Sequence, residues 1–299
     1  MFKHYNPDFT LVESKSVGGQ LNFEFALRTV FLFDDEYTKN LLEELDMKYN
    51  VVDMKIRYFS NGKLKKDVSE KENKIYNAKK IVHAKLPIEK IVKFSKVVPR
   101  SSMECKYINT NMIELLEKLS KSIEIVNKKA ILIDTANKTV TFEDYKKFDY
   151  EKLVSTIPAP DFRYIAYNSN IKNQFRYLPG TFVVSSELPL SMREYSDSFE
   201  LLYYCNDDMI FNRVWKNADK YLYEIPGDLS ELECRNFFDE MKVNIEKHFV
   251  RRINFIFSEK TKKIKDVMFL GRLACWNADE FISDSIRRAA EFKREGDNA

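Results

Sequence analysis

"FTLVESKSVGGQ", residues Phe9 to Gln20, is the stretch on which the fold turns. Phe9, Leu11 and Val12 form a short, mostly apolar run, as a parallel strand covered on both faces does. Glu13 ends that run with a carboxylate. Gly18 and Gly19 follow, two of only 7 glycines in 299 residues, and they let the backbone pass close to a neighbour. What that neighbour is depends on the rest of the chain.

Composition narrows the answer. Hydrophobic residues make up 44% and charged residues 32%, the balance of a globular chain with a real core. Basic residues outnumber acidic ones by 49 to 46, and clusters such as "GKLKKD" and "EKTKKIKD" are broken by acids, so no nucleic-acid patch stands out. Apolar runs are too short to span a bilayer, and the opening residues have no signal-peptide pattern. Cys105, Cys205, Cys234 and Cys275 are scattered without metal-ligand spacing, and His4, His83 and His248 are equally dispersed. They read as reduced thiols of a cytoplasmic protein without a metal centre.

Along the chain, "TVFLF" is a strand candidate and "DDEYTKNLLEELDMKY" a helix with acids in its first turn. "VDMKIRYFSNGKL" alternates at period two and turns at Asn61-Gly62, which predicts a hairpin. Residues 65 to 105 carry mixed signals. "NMIELLEKLSKS" is a helix with Asn111 and Glu114 at capping-box spacing. Strands follow at "IEIV", "AILID", "KTVTF" and "KLVSTIP", then at "TFVVS", "ELLYYC", "MIFNRV" and "KYLYEI", the last four as an antiparallel sheet. A helix opens at Ser230 with Glu233 as its capping partner, and its apolar face is extended through Met241 and Ile245. "INFIF" and "DVMFL" are strands, and a final helix is capped at Asn277. Parallel-type and antiparallel segments alternate, which predicts two interleaved domains.

Three of these segments, taken in order, resemble the flavoprotein superfamily of UDP-galactopyranose mutase, protoporphyrinogen oxidase and the amine oxidases. "LVESKSVGGQ" is similar to its second-strand signature, an acid followed by Gly-Gly. "YEKLVSTIPAP" resembles the strand that returns from the substrate domain. "FLGRLACWNADEFISDSI" resembles the end of mutase-like chains, in which a helix points its N-terminus at the flavin. A fourth segment, "MIFNRVWKNADKYLYEIP", is similar to the stretch that bears an active-site arginine in the mutases. Ala278 and Ile282 depart from the mutase pattern, which has a tyrosine and an aspartate there.

The resemblance implies an α/β fold: a Rossmann-like FAD/NAD(P)-binding domain, truncated before strand 2, interleaved with an α+β substrate domain that contains an antiparallel sheet. The first domain takes residues 1–50, 111–164 and 256–299, and the second takes 51–110 and 165–255. It also implies site residues. Glu13 binds ribose hydroxyls, and Gly18, Gly19, Ala130, Gly271, Arg272, Trp276 and Ile282 line FAD. Arg213 is the catalytic residue, holding an anionic substrate group or stabilising charge on the ring. The bland readings are a strand cap for Glu13, an ordinary turn for Gly18-Gly19 and a surface strand residue for Arg213.

In this family a first strand, a G-x-G-x-x-G turn and a helix come before the acid-bearing strand. No such glycine turn occurs in these 299 residues, and neither "SNGKL" nor "LPGTF" supplies one. Three arrangements stay open. A second polypeptide donates the strand and helix, the protein has lost flavin and covers the gap with "MFKHYNPD", or the natural chain is longer. The corresponding functions are an FAD-dependent oxidoreductase or mutase-like enzyme acting on a small polar substrate, whole or as half of a split enzyme, and a non-catalytic interaction subunit that keeps the fold without flavin.

Overall fold

The computed structural model describes residues 4, 8–14, 32–82, 106–121, 123–167, 178–253, 263–271, 274–275 and 282–296. The first described elements are β1 (Leu11–Glu13), β2 (Leu32–Phe33) and α1 (Glu36–Glu44). β3 (Tyr49–Asp53), β4 (Ile56–Ser60), β5 (Lys63–Lys65) and α2 (Glu70–Val82) follow. β6 (Lys106–Thr110) leads to α3 (Met112–Lys121), β7 (Ile125–Asn127), β8 (Ala130–Asp134), β9 (Thr139–Phe142) and β10 (Lys147–Asp149). Next are β11 (Leu153–Ser155), α4 (Ala159–Ile165), β12 (Ala166–Tyr167), β13 (Leu178–Ser185), β14 (Leu201–Tyr204), β15 (Arg213–Asn217) and β16 (Lys220–Pro226). α5 (Glu231–Glu240), β17 (Lys247–Ile253), β18 (Val267–Phe269) and α6 (Ile282–Gly296) complete the described chain.

Two pairs of strands run parallel outside the larger sheets. β1 runs parallel to β7, with Leu11 opposite Ile125, and β11 runs parallel to β18, with Leu153 opposite Val267. Val12 and Leu153 pack against the same apolar cluster, built on Ile133, Phe142, Phe162 and Phe269. A separate sheet in the order β10-β9-β8-β12 supplies Ile133 and Phe142 to that cluster.

The largest sheet has seven strands in the order β17-β13-β16-β15-β14-β4-β5. Its pairings are antiparallel except β14 with β4. Period-two alternation gives it two apolar faces. One face holds Val183, Leu202, Val214 and Tyr223, and α5 closes it with Cys234 and Phe238. Burying a side chain such as Phe238 contributes about 1.5–3 kcal/mol. The other face carries Phe182, Leu201, Trp215 and Leu222.

Local signals set several elements as expected. Asn61 (φ 52°) and Gly62 (φ 70°) make the two-residue turn between β4 and β5. Ser230 and Glu233 form a complete capping box at α5, and Asn111 Oδ1 accepts from the Ile113 and Glu114 amides. The helix from Ser230 is shorter than its apolar stripe suggests. It ends at Glu240, Met241 caps it, and Lys242 takes φ 55°, which turns the chain toward β17. Helix α2 lies where the sequence gave mixed signals. The cap at Asn277 and most of "INFIF" fall outside the described residues.

Candidate functional site

The arginine singled out by the sequence opens β15 on the second face of the seven-stranded sheet. Register places Phe249, Phe182, Glu224, Arg213, Tyr203 and Tyr58 opposite one another across six adjacent strands. Same-face cross-strand neighbours interact, so this row forms a continuous surface. Phe249 and Phe182 stack at 5.2 Å, and Tyr203 and Tyr58 stack at 5.3 Å. The Arg213 Cζ lies 5.9 Å from the centre of the Tyr203 ring.

The middle of the row is charged. Arg213 Nε sits 3.0 Å from Glu224 Oε2, and Trp215 Nε1–H donates to Glu224 Oε1 at 2.7 Å. The Glu224 side chain is 2% exposed while that of Arg213 is 16% exposed, so the arginine alone reaches accessible space. Burial works against the Arg213 charge, and the Glu224 carboxylate more than offsets it, so the guanidinium pKa is raised. The cation is permanent.

Helix α2 frames this row. Ser69 and Glu72 cap it reciprocally: the Glu72 amide donates to Ser69 Oγ (3.3 Å) and the Ser69 amide to Glu72 Oε2 (2.7 Å). Glu72 also pairs with Lys65, which stands opposite Tyr58 on β5. Hydrogen bonds from Lys65, then Ser60, pull the Glu72 carboxyl down to about 2 despite its burial. One turn on, Tyr76 packs edge-on against Tyr203 at 5.4 Å, and burial pushes its hydroxyl pKa well up. Lys79 follows one turn later, and its Nζ donates to the carbonyls of Phe211 (3.3 Å) and Tyr204 (3.4 Å). Burial lowers its pKa to about 8.

The residues expected to meet a cofactor lie elsewhere. Glu13 closes β1, half-buried, and its carbonyl accepts from the Lys128 amide at 3.2 Å. Ala130 opens β8 and packs on the cluster that also receives Val12, the residue before Glu13 on β1. Gly271 lies just beyond β18, at the carboxyl end of a parallel strand, where ligands of open α/β sheets bind. It has φ 92°, and no described atom lies within 4 Å of where a Cβ would stand. Its carbonyl accepts from the Cys275 amide at 2.9 Å.

Phe269 and Ala274, on either side of Gly271, join the same cluster as Val12 and Ala130. Ile282 packs with Leu32, Leu41 and Leu115 in a different core. Gly18, Gly19, Arg272 and Trp276 fall outside the described residues. The sequence pointed to Arg213 but not to its neighbours Glu224 and Trp215. An acid inside the apolar run "YLYEIP" was the available signal for Glu224.

No protein-family model and no curated protein matches the sequence. The structure does have solved relatives in shape. It is similar to reduced UDP-galactopyranose mutase at TM-score 0.59 and 11% identity, covering 91% of this chain and 84% of that one. It is similar to a fatty acid isomerase from P. acnes that produces CLA, at TM-score 0.58 and 9% identity, covering 96% and 92%. A triple mutant from a redesign of cofactor binding in putrescine oxidase gives TM-score 0.56 and 10% identity, covering 97% and 93%. The chain has an amine oxidase-like fold.

Proposed function

We propose that the protein is an FAD-dependent enzyme of the oxidoreductase or mutase-like type, acting on a small polar substrate. The single observation that carries this reading is Gly271: a positive-φ glycine just past the carboxyl end of a parallel strand, with no described atom within 4 Å of where its Cβ would stand. A flat ring can lie against such a backbone, and a Cβ would fill the space. FAD, when bound, supplies hydride or N5 chemistry that amino-acid side chains lack.

The chain's own residues bind and orient. Glu13 ends its parallel strand where an acid can hold ribose hydroxyls. Ala130 and Gly271 border the ring, and Arg213 holds an anionic group of the substrate. The domain division proposed here separates 51–110 and 165–255 from the remainder. It is supported by the seven-stranded sheet, whose strands β4, β5 and β13 to β17 all fall within those two ranges. Among the described residues β1 and β11 each pair with one strand, so a second polypeptide bringing an apolar strand and a glycine-rich turn is the proposed partner.

The test is a titration of the purified chain, alone and with any co-purifying partner, with FAD. Saturable binding with quenched flavin fluorescence and a raised Tm is expected. A folded protein whose Tm and calorimetric trace ignore FAD, alone and with its partner, is instead a binding subunit that keeps the fold without the cofactor.

A further inference from the structure

We propose that the tip of the β9–β10 hairpin is a docking surface for an anionic phospholipid bilayer, with Tyr145 entering the headgroup layer and Lys129, Lys146 and Lys147 meeting lipid phosphates. Such a contact goes beyond the flavin reading and does not depend on it.

The tip is a braced platform. The Tyr145 amide donates to the Phe142 carbonyl at 2.8 Å and the Phe142 amide to the Lys146 carbonyl at 3.0 Å, which closes the turn. The Glu143 amide donates to the Lys129 carbonyl at 2.9 Å, so the start of β8 lies beside it. Beneath the turn, buried Phe142 meets Phe148 edge-on at 5.3 Å. Lys128 pairs with Asp144 at 2.7 Å and stands over both rings.

The surface this platform presents is apolar. Tyr145 is 82% exposed, and Phe148, Leu132 and Ile131 keep 47%, 42% and 37% of their surface. Leu132 and Lys147 flank Thr141 in one cross-strand row, on the face opposite to buried Ile133 and Val140. Tyr145 has φ 60° and is the only aromatic among the seven described non-glycine residues at positive φ. A bulky side chain is a steric outlier there, so the ring stands at the tip against the preference of its own backbone.

Charge selects the occupant. Around the tip, Lys128, Lys129, Lys146 and Lys147 stand against Glu143 and Asp144. Asp144 is taken by Lys128, and among the described residues the exposed Lys129, Lys146 and Lys147 form no salt bridge. Lysines beside an aromatic ring suit an anionic membrane surface: the ring sits at headgroup level and the ammonium groups meet phosphates. A second copy of this chain would bring like charges together. A nucleic acid would use the lysines and the rings, but Ile131 and Leu132 have no flat face on which a base can stack. The boundary between headgroups and acyl chains accepts all four apolar side chains.

The test is co-sedimentation of the full chain with vesicles of phosphatidylcholine, alone or with about one third phosphatidylglycerol, at about 0.1 M and about 0.5 M salt. Saturable binding to the anionic vesicles at low salt is expected, with at least about tenfold lower affinity for neutral vesicles and at high salt. Lys146→Gln/Lys147→Gln should weaken low-salt binding about 25-fold, near fivefold for each lysine. Tyr145→Gly should weaken it about five- to tenfold without lowering Tm, since glycine accepts the positive φ. Leu232→Ser, which removes an exposed leucine on α5, should leave binding unchanged.

Equal binding to neutral and anionic vesicles overturns the docking surface, as does a Tyr145→Gly chain that keeps full affinity. An equal loss in Leu232→Ser overturns it too, because the contact would then be unspecific. A chain that ignores both kinds of vesicle overturns it outright. In that case a dimer that Tyr145→Gly dissociates assigns the tip to a second copy, and an oligonucleotide that the variant releases assigns it to nucleic acid.

Discussion

Arg213 and Glu224 stand directly opposite each other on β15 and β16, with Nε 3.0 Å from Oε2, in a row otherwise made of aromatic rings. The pair is costly to break from one side. Glu224→Leu strands a guanidinium among Tyr203, Tyr76 and Trp215, and a loss of about 3 kcal/mol is expected in urea unfolding. Arg213→Met/Glu224→Leu should recover at least half of that, because it removes both charges. Additive losses in the double variant would show that the two residues do not act as a pair.

Glu72 gives a pH signature. Its pKa is depressed to about 2, so its stabilisation is present above the usual carboxylate pKa and is lost as pH falls toward 2. The shift corresponds to at most about 3 kcal/mol, nearer 2 once the exposure of Lys65 is allowed for. Glu72→Gln should lower the urea midpoint at pH 7 and flatten its fall between pH 5 and 2. Parallel acid limbs in the two proteins would rule this out.

Much of the scaffold was legible from local chemistry. Asn61-Gly62, Ser230 with Glu233, and the apolar run ending at Glu13 each encode their geometry within a few residues. The helix from Glu70 to Val82 was not, because its lysines dilute the apolar stripe and its cap at Ser69 and Glu72 lies in polar sequence. Strand β17 was hidden because the residues from Met241 to Ile245 continue a helical stripe that the positive φ of Lys242 interrupts. The partnership of Arg213 with Glu224 depends on the register between β15 and β16. Sequence periodicity gives which face each residue occupies, but not which residue stands opposite.

Thr181 should prove a strong point of the seven-stranded sheet. It is fully buried, its hydroxyl donates to the Gly227 carbonyl at 2.9 Å, and its Oγ1 accepts from the Leu229 amide at 2.9 Å. It thereby closes the turn that leads into α5. Thr181→Val keeps the shape and leaves a buried amide and carbonyl unanswered, for an expected loss of about 2 kcal/mol in urea unfolding. A change below about 0.5 kcal/mol would mean water takes over both bonds.

Lys79 gives a pH slope of the same sign as Glu72, in an alkaline window. Its folded pKa of about 8 is below that of a free lysine, so between pH 8 and 10 the unfolded chain binds more protons. Stability therefore gains a rising contribution as pH climbs through that window. Lys79→Met should remove the rise, visible as a difference in the slope of Tm against pH between the two proteins. Equal slopes would place the lysine's titration outside this range.

Gly271 separates conformational need from ligand need. Its φ of 92° alone would make a substitution costly, about 1–2 kcal/mol for most residues. Gly62, at φ 70° and likewise with no described atom within 4 Å of its Cβ position, has the same conformational need in the β4–β5 hairpin, is not among the residues proposed to meet the cofactor, and so serves as the matched control. Asparagine tolerates this region best, so Gly62→Asn and Gly271→Asn should each lose a modest and similar amount of Tm without FAD. With FAD at about 100 times its Kd, the unaltered chain and Gly62→Asn should gain about 2.7 kcal/mol. Gly271→Asn should gain little, because the new side chain occupies the space proposed for the ring. A full FAD-dependent gain in folded Gly271→Asn would show that the glycine serves only the turn after β18, and would remove it from the cofactor site.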